Sequence, residues 1–206
     1  MTATPYDAAR DVIDRARSLL RLDAPPTSAL VRDDVRRLAL VMGVTAVDTY
    51  LHWAVRRVDL SSLPKPLAKL DVTFGDLVRM GDSSVASRRD TKVDRPRTRA
   101  RNVLNEKLLT MPFQNSRSVE HALSLAGVRS MWTQIGEAFA VAQAPQAVKA
   151  HLNRIAHRRN CIVHEGDLKR LIRPQRVTCE PIARPEVDAD LDWIEQFVQA
   201  LAKVCP

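Results

Sequence analysis

The sequence VKAHLNRIAHRRNCIVHEGD, residues 148–167, decides how the chain is expected to fold. Apolar residues recur in it at helical spacing, at Val148, Leu152, Ile155 and Ile162. Gly166 then supplies a stop for the predicted helix. Arg159 lies on the same inner stripe, where a guanidinium that cannot lose its proton is costly unless it has a partner or borders a wet cleft.

The rest of the chain repeats this helical pattern. Only 6 glycines and few runs of β-branched or aromatic residues occur, so strands have little support. The sequence therefore predicts an all-α fold, a single domain over residues 1–206 with its core at about 28–204. Apolar periodicity predicts helices at about 6–22, 28–59, 101–110, 117–125, 129–142, 146–165 and 187–204, with a short helical piece near 67–70.

Residues 75–101 are the least regular part of the sequence and predict a flexible basic loop insertion. Two interpretations of this segment stay open. Its positive charge is able to follow a phosphate backbone, and it is equally typical of a solvated insertion without a role. The arginines proposed to contact RNA there are Arg88, Arg89, Arg95 and Arg97.

The overall charge favours a polyanionic partner. Lysine and arginine number 32 against 24 acidic residues, giving a formal net charge of +8, and nucleic acid is the first such partner to consider. No phosphate-cradling glycine loop or nucleophile elbow is present. No signal peptide and no apolar run of about 20 residues is expected, so the prediction is a cytoplasmic protein without membrane contact and with reduced thiols.

Arg159 and His164 carry the chemistry that the sequence offers most clearly. RNA supplies its own nucleophile, the ribose 2′-OH, so cleavage needs a base, an acid and a group that stabilises charge on phosphorus. Imidazole titrates near neutral pH and fits the first two roles. A guanidinium binds phosphate through two parallel hydrogen bonds. An Arg-x4-His pair in a basic, all-helical chain therefore predicts an RNA-cleaving site.

The wider string Arg158–Asp167, RRNCIVHEGD, resembles the R-x4-6-H signature of the HEPN superfamily, and in particular its RiboL-PSP type. Two further parts of the chain support that resemblance, DTYLH at residues 48–52 and FQN at residues 113–115 with AGV at 126–128 and Trp132. The resemblance covers roughly residues 30–200, weakly outside these segments. Cys161 departs from it, because a polar residue such as Gln is expected at that position.

The resemblance implies a HEPN-type helical bundle that dimerises, so that two Arg/His motifs share one cleft. It also implies metal-independent endoribonuclease activity without a cofactor, leaving 2′,3′-cyclic phosphate and 5′-OH ends. Such proteins often serve as toxins or anti-phage effectors, with an antitoxin or regulatory partner. The site residues are then Arg159 and His164 as the catalytic pair, Asn160, Glu165 and Asp48 as supporting groups, and Arg158 with the basic segment as RNA contacts.

One geometric difficulty accompanies the predicted pair. Residues five apart on an ideal helix point about 140° apart, so Arg159 and His164 cannot project along one stripe. We expect the helix to unwind as it approaches Gly166, and the pair to hold its substrate from two sides with a dimer partner closing the gap.

Other interpretations of the same residues stay open at this point. Arg159 is also explained as a buried cation paired to a carboxylate, with His164 capping the helix C-terminus. The domain is alternatively a non-catalytic module that binds nucleotide, RNA or protein. His157, Cys161 and His164 share one helical face and are a candidate zinc set. Asp48 and His52 also share a face, either as a hydrogen-bonded pair or as a surface ion pair.

Overall fold

The computed structural model describes residues 2–87, 95–170 and 176–205. The protein is 70% helical and the described ranges contain no strand, which confirms the all-α prediction. The helices are α1 (Pro5–Leu20), α2 (Ala29–Arg56), α3 (Lys65–Ala68), α4 (Phe74–Ser87), α5 (Arg95–Leu109), α6 (Ser116–Leu125), α7 (Met131–Ala138), α8 (Pro145–Glu165) and α9 (Arg184–Val204).

Helix α2 is the centre of the bundle, and α1, α5, α6, α8 and α9 all pack against it. Its inner stripe is fully buried at Val44, Val47, Tyr50, Leu51 and Val55. Ser28 begins the helix by accepting a hydrogen bond from the Val31 amide. The long predicted helix at 28–59 is thus confirmed, and α8, which carries the predicted catalytic pair, packs against it.

Helix α2 corrects one expectation from the sequence. By length and composition it is the one described helix apolar enough to cross a membrane, and 56% of its most apolar window is buried inside the protein. The central helix of a helical bundle meets the same criterion, because neighbouring helices cover its apolar side chains.

Helix α9 closes the bundle beside α1, α2 and α7. The helix predicted at 187–204 is confirmed, and its inner face is fully buried at Leu191, Ile194, Phe197, Val198 and Leu201. Between α8 and α9 the chain makes an isolated antiparallel bridge from Leu168 to Cys179. That bridge turns the connection back along the end of α8.

The loop predicted at 75–101 is wrong over most of its length, and its predicted flexibility stays a prediction. Helix α4 and the first half of α5 occupy it, and the two helices pack on each other. Phe74 on α4 is 79% exposed and Leu77 and Val78 are also exposed, so these apolar residues do not form a core-facing stripe like those of α2 and α9. Residues 88–94 lie outside the described part of the chain.

Candidate functional site

Helix α8 carries the predicted catalytic pair and remains regular through its last turn. Pro145 stands in its first turn, where the missing amide hydrogen has no cost, and the helix continues to Glu165. Gly166 follows with φ 63°, a left-handed conformation that glycine adopts without a steric penalty. The expected unwinding before Gly166 is therefore wrong, and Arg159 and His164 keep the angular separation of an intact helix.

Arg159 is half-buried on the inner stripe of α8, and its guanidinium is left largely without partners. Its Nη1 donates to Oδ1 of the neighbouring Asn160 at 3.1 Å, and its Nε is buried without a hydrogen bond. The other two arginines of α8 are paired to carboxylates. Arg154 contacts Asp190 at 2.5 Å, and Arg158 contacts Asp167 at 2.8 Å.

This contrast bears on the structural interpretation of Arg159. A buried cation kept for stability is expected to hold a carboxylate, because an unpaired buried charge is strongly destabilising. Arg159 has no ion pair with any residue that the structure describes. Within the described ranges, no carboxylate therefore neutralises the Arg159 guanidinium.

His164 lies on the exposed face of the last turn of α8. Within the described ranges its imidazole makes no hydrogen bond, so neither ring nitrogen is committed. The neighbouring Glu165, in contrast, is hydrogen-bonded. Arg170 donates to both of its carboxylate oxygens, at 2.9 and 2.5 Å, and this hydrogen bonding lowers the pKa of the Glu165 carboxyl. Glu165, predicted as a supporting group, is therefore already held in an ion pair with Arg170.

The Asp48 carboxylate binds the loop at Phe113 and Gln114, and it forms no hydrogen bond with an imidazole among the described residues. Its carboxylate accepts hydrogen bonds from the amide of Phe113 at 2.6 Å and from the side chain of Gln114 at 3.4 Å. His52 lies 3.9 Å from Asp48, too far for a hydrogen bond, and its Nε2 contacts the carbonyl oxygen of Met111 instead. The structure thus brings the DTYLH and FQN stretches together, and it shows no contact between Asp48 and His164 among the described residues.

Arg158 belongs to a buried ion cluster that the sequence analysis did not anticipate. The Asp167 side chain is 0% exposed and accepts from Arg158 on α8 and from Arg37 on α2, each at 2.8 Å. The predicted RNA contact of Arg158 stays untested, but its guanidinium is already occupied. The sequence pattern could have indicated Arg37 as a buried ion-pair residue, because Arg37, like Arg159, lies on the apolar stripe of its own helix.

The remaining predicted RNA contacts are described only in part. Arg88 and Arg89 lie outside the described residues, as does the Arg95 side chain at the start of α5. Arg97 is exposed on α5. The nearby Arg101 donates to the carbonyl oxygens of Arg56 and Val58, so it caps the C-terminus of α2.

A cavity of about 400 Å³ lies beside the end of α8, and neither Arg159 nor His164 lines it. Its wall includes His157 and Cys161, whose Nε2 and Sγ are 3.7 Å apart. Within the described ranges no three such side chains are arranged to hold a metal ion. The zinc interpretation, which needs His164 as a third ligand, is not supported by this geometry.

Comparisons with protein-family models, curated proteins and solved structures found no match. The chemistry of the site therefore rests on its own residues. Among the described residues, the Arg159 guanidinium holds no carboxylate, its neighbour Asn160 offers an amide, and the His164 imidazole makes no hydrogen bond. These side-chain types are able to bind a phosphate and to transfer a proton.

Proposed function

We propose that the protein is a metal-independent endoribonuclease of the HEPN type, with Arg159 and His164 as its catalytic pair. The observation that carries this proposal is the state of Arg159, the one arginine of α8 that has no carboxylate partner among the described residues. The formal net charge of +8 supports an RNA substrate, because a polyanion gains affinity from it. The residues RRNCIVHEGD at 158–167 supply the resemblance to the family.

The reaction needs only groups that this helix end offers. Arg159 binds the non-bridging oxygens of the scissile phosphate and stabilises the charge that develops on them. Asn160, 3.1 Å from the Arg159 guanidinium, restricts its orientation. His164 takes the proton from the ribose 2′-OH, the 2′ oxygen attacks phosphorus, and the bond to the 5′ oxygen breaks. The products are a 2′,3′-cyclic phosphate and a 5′-OH.

The leaving 5′ oxygen needs a proton from a second acid. Because α8 is regular to Glu165, Arg159 and His164 of one copy point about 140° apart and do not converge. A second copy, packed against the same helix end, brings a second imidazole to the phosphate. The proposal therefore includes a homodimer with a composite site. The resemblance further suggests a toxin or anti-phage effector in the cytoplasm, held in check by an antitoxin or a regulatory partner.

The test compares RNA cleavage in EDTA by the purified wild-type protein and by Arg159→Ala and His164→Ala. Both variants are expected to lose at least about 100-fold in rate, the size of a general acid–base or oxyanion contribution. Arg154→Ala and His157→Ala are the matched controls, because each removes the same side-chain type from the same helix. The controls are expected to keep their activity.

Two outcomes contradict the proposal. If Arg159→Ala and His164→Ala cleave as fast as the wild type, the activity belongs to another site or to a contaminant. If no protein cleaves but all bind RNA with an affinity that falls as salt rises, the domain is a binding module rather than a nuclease.

A further inference from the structure

Helix α8 ends in an unusual backbone conformation two residues after His164. Gly166 and Asp167 are both left-handed, with φ of 63° and 58°, and both of their amides donate to the Cys161 carbonyl oxygen. A left-handed conformation is common for glycine but costs free energy for a residue with a Cβ. The surrounding structure must therefore hold Asp167 in place.

Two arginines from different helices provide that restraint. Arg37 on α2 donates from Nε to Asp167 Oδ2 at 2.8 Å, and Arg158 donates from Nη2 to the same oxygen at 2.8 Å. Each guanidinium also reaches the returning chain, Arg37 at the Glu180 carbonyl and Arg158 at the Pro181 carbonyl. The Asp167 and Arg37 side chains are 0% and 8% exposed, whereas Arg158 is 25% exposed. Such a cluster restricts the orientation of the Asp167 side chain, because hydrogen bonds from guanidinium groups are directional.

We propose that Asp167, held by Arg37 and Arg158, is a positioning residue for His164. This inference rests on the proposed nuclease function. His164 forms no hydrogen bond among the described residues, so the direction of its imidazole depends on the backbone of the last turn of α8. Gly166 ends that turn, and Asp167, the next residue, ties the end of the turn to α2 through Arg37. Without the Asp167 charge, the C-terminus of α8 is held less firmly by Arg37 and Arg158. The His164 imidazole then adopts several orientations.

The kinetic consequence is a selective loss of turnover. Arg159 lies two turns before Asp167, so phosphate binding is retained and KM changes less than about 3-fold. Proton transfer depends on the placement of His164, and a displacement of about 1 Å costs on the order of 100-fold. We therefore expect kcat to fall about 10- to 100-fold.

Asp167→Asn is the variant that isolates this effect. Asparagine tolerates the left-handed conformation and preserves the side-chain shape, so the main change is the lost charge. Asp23→Asn is the matched control. Asp23 is likewise buried and bound by an arginine of α2, Arg36 at 2.7 Å, but it restrains the start of that helix rather than the end of α8.

A readout that does not depend on catalysis separates this inference from the proposed function. The Cε1–Hε1 NMR signal of His164, assigned with His164→Ala, reports the environment of the ring in the free protein. It is expected to shift or broaden in Asp167→Asn and to remain unchanged in Asp23→Asn, although both variants lose thermal stability. This result is decisive even if the wild-type protein cleaves no RNA, a finding that would contradict only the proposed function.

The inference is overturned if Asp167→Asn leaves the His164 signal where it was, or if its kcat loss is no larger than that of Asp23→Asn. Should Asp167→Asn fail to fold, Arg37→Lys is judged by the same two criteria. Lysine keeps one charge beside Asp167 but lacks the second arm that reaches the Glu180 carbonyl. It is therefore expected to show a smaller shift and a smaller kcat loss.

Discussion

An arginine within an apolar helix stripe has two explanations, a buried ion pair or a ligand-binding role. Arg37 and Arg159 both interrupt an apolar stripe, on α2 and α8 respectively. Arg37 is explained by the buried carboxylate of Asp167. Arg159 has no such partner within the described ranges. The sequence pattern is the same for both arginines, and only the ion pairs in the folded protein distinguish them.

Asp23 gives a prediction about stability at the residue scale. Its side chain is 1% exposed and accepts two hydrogen bonds from Arg36, at 2.7 and 2.8 Å. That hydrogen bonding lowers the pKa of the Asp23 carboxyl below its usual value of 3.8. Asp23→Asn removes the buried carboxylate partner of Arg36 and leaves it, among the described residues, only the exposed Asp33 at 2.9 Å. The substitution is expected to lower the free energy of unfolding by about 3 kcal/mol at pH 7, measured by urea denaturation.

The same pair predicts the direction of the pH dependence. The folded state lowers the pKa of Asp23, so the ionised pair stabilises the protein fully above the unfolded value near 3.8. As pH falls through the folded pKa, the carboxyl takes up a proton and that contribution disappears. The stability difference between the wild type and Asp23→Asn should therefore shrink in acid. A difference that stays constant from pH 7 to the acid transition contradicts this assignment.

At the scale of helices, the turn between α7 and α8 determines where α8, the helix with the proposed catalytic residues, begins. Gly136 on α7 accepts a hydrogen bond from the Gln143 amide at 3.0 Å. A Cβ on Gly136 would collide with the Gln143 carbonyl oxygen, which is backbone and cannot rotate away. Only glycine permits this close approach.

Gly136→Ala is accordingly expected to lower the free energy of unfolding by about 2 kcal/mol, despite the higher helix propensity of alanine. Gly81→Ala is the matched control, since Gly81 lies on α4 and a Cβ there meets nothing within 4 Å. That control is expected to gain about 0.5–1 kcal/mol. Thermal unfolding of the two variants measures both effects, and equal shifts in Tm would refute the packing argument.

Sequence reasoning succeeded where packing and periodicity agree. The inner faces of helices α2, α8 and α9 are buried, so their existence and inner faces were predictable. Helix α4 and the first half of α5 were not, because the segment carries many charges and Phe74, Leu77 and Val78 on α4 are exposed rather than packed in the core. The regular end of α8 was also missed, since the restraint on Asp167 comes from Arg37, 130 residues away in the chain.

At the scale of the whole molecule, the proposed function requires two copies. Val163 lies on the last turn of α8 between the two proposed catalytic residues and is 45% exposed. A second copy packed against this turn would cover it. Val163→Asp is then expected to convert a dimer into a monomer in sedimentation velocity and to remove RNA cleavage, with Tm changed by only a few degrees because the residue is not in the core.

Val141→Asp is the control for that experiment, because Val141 is also exposed but lies in the connection before α8. It should leave both the dimer and the activity unchanged. A wild-type protein that sediments as a monomer while cleaving RNA at full rate would rule out the composite site.

The central claim is that this protein cleaves RNA through the 2′-OH without a metal ion. The most direct measurement incubates the wild-type protein in EDTA with an RNA oligonucleotide, and with a matched oligonucleotide carrying 2′-deoxyribose at the cleaved position. We predict 2′,3′-cyclic phosphate and 5′-OH ends from the first, and no cleavage at that position in the second. Cleavage of the deoxy-substituted position, or activity that disappears in EDTA and returns with magnesium, would contradict the roles proposed for Arg159 and His164.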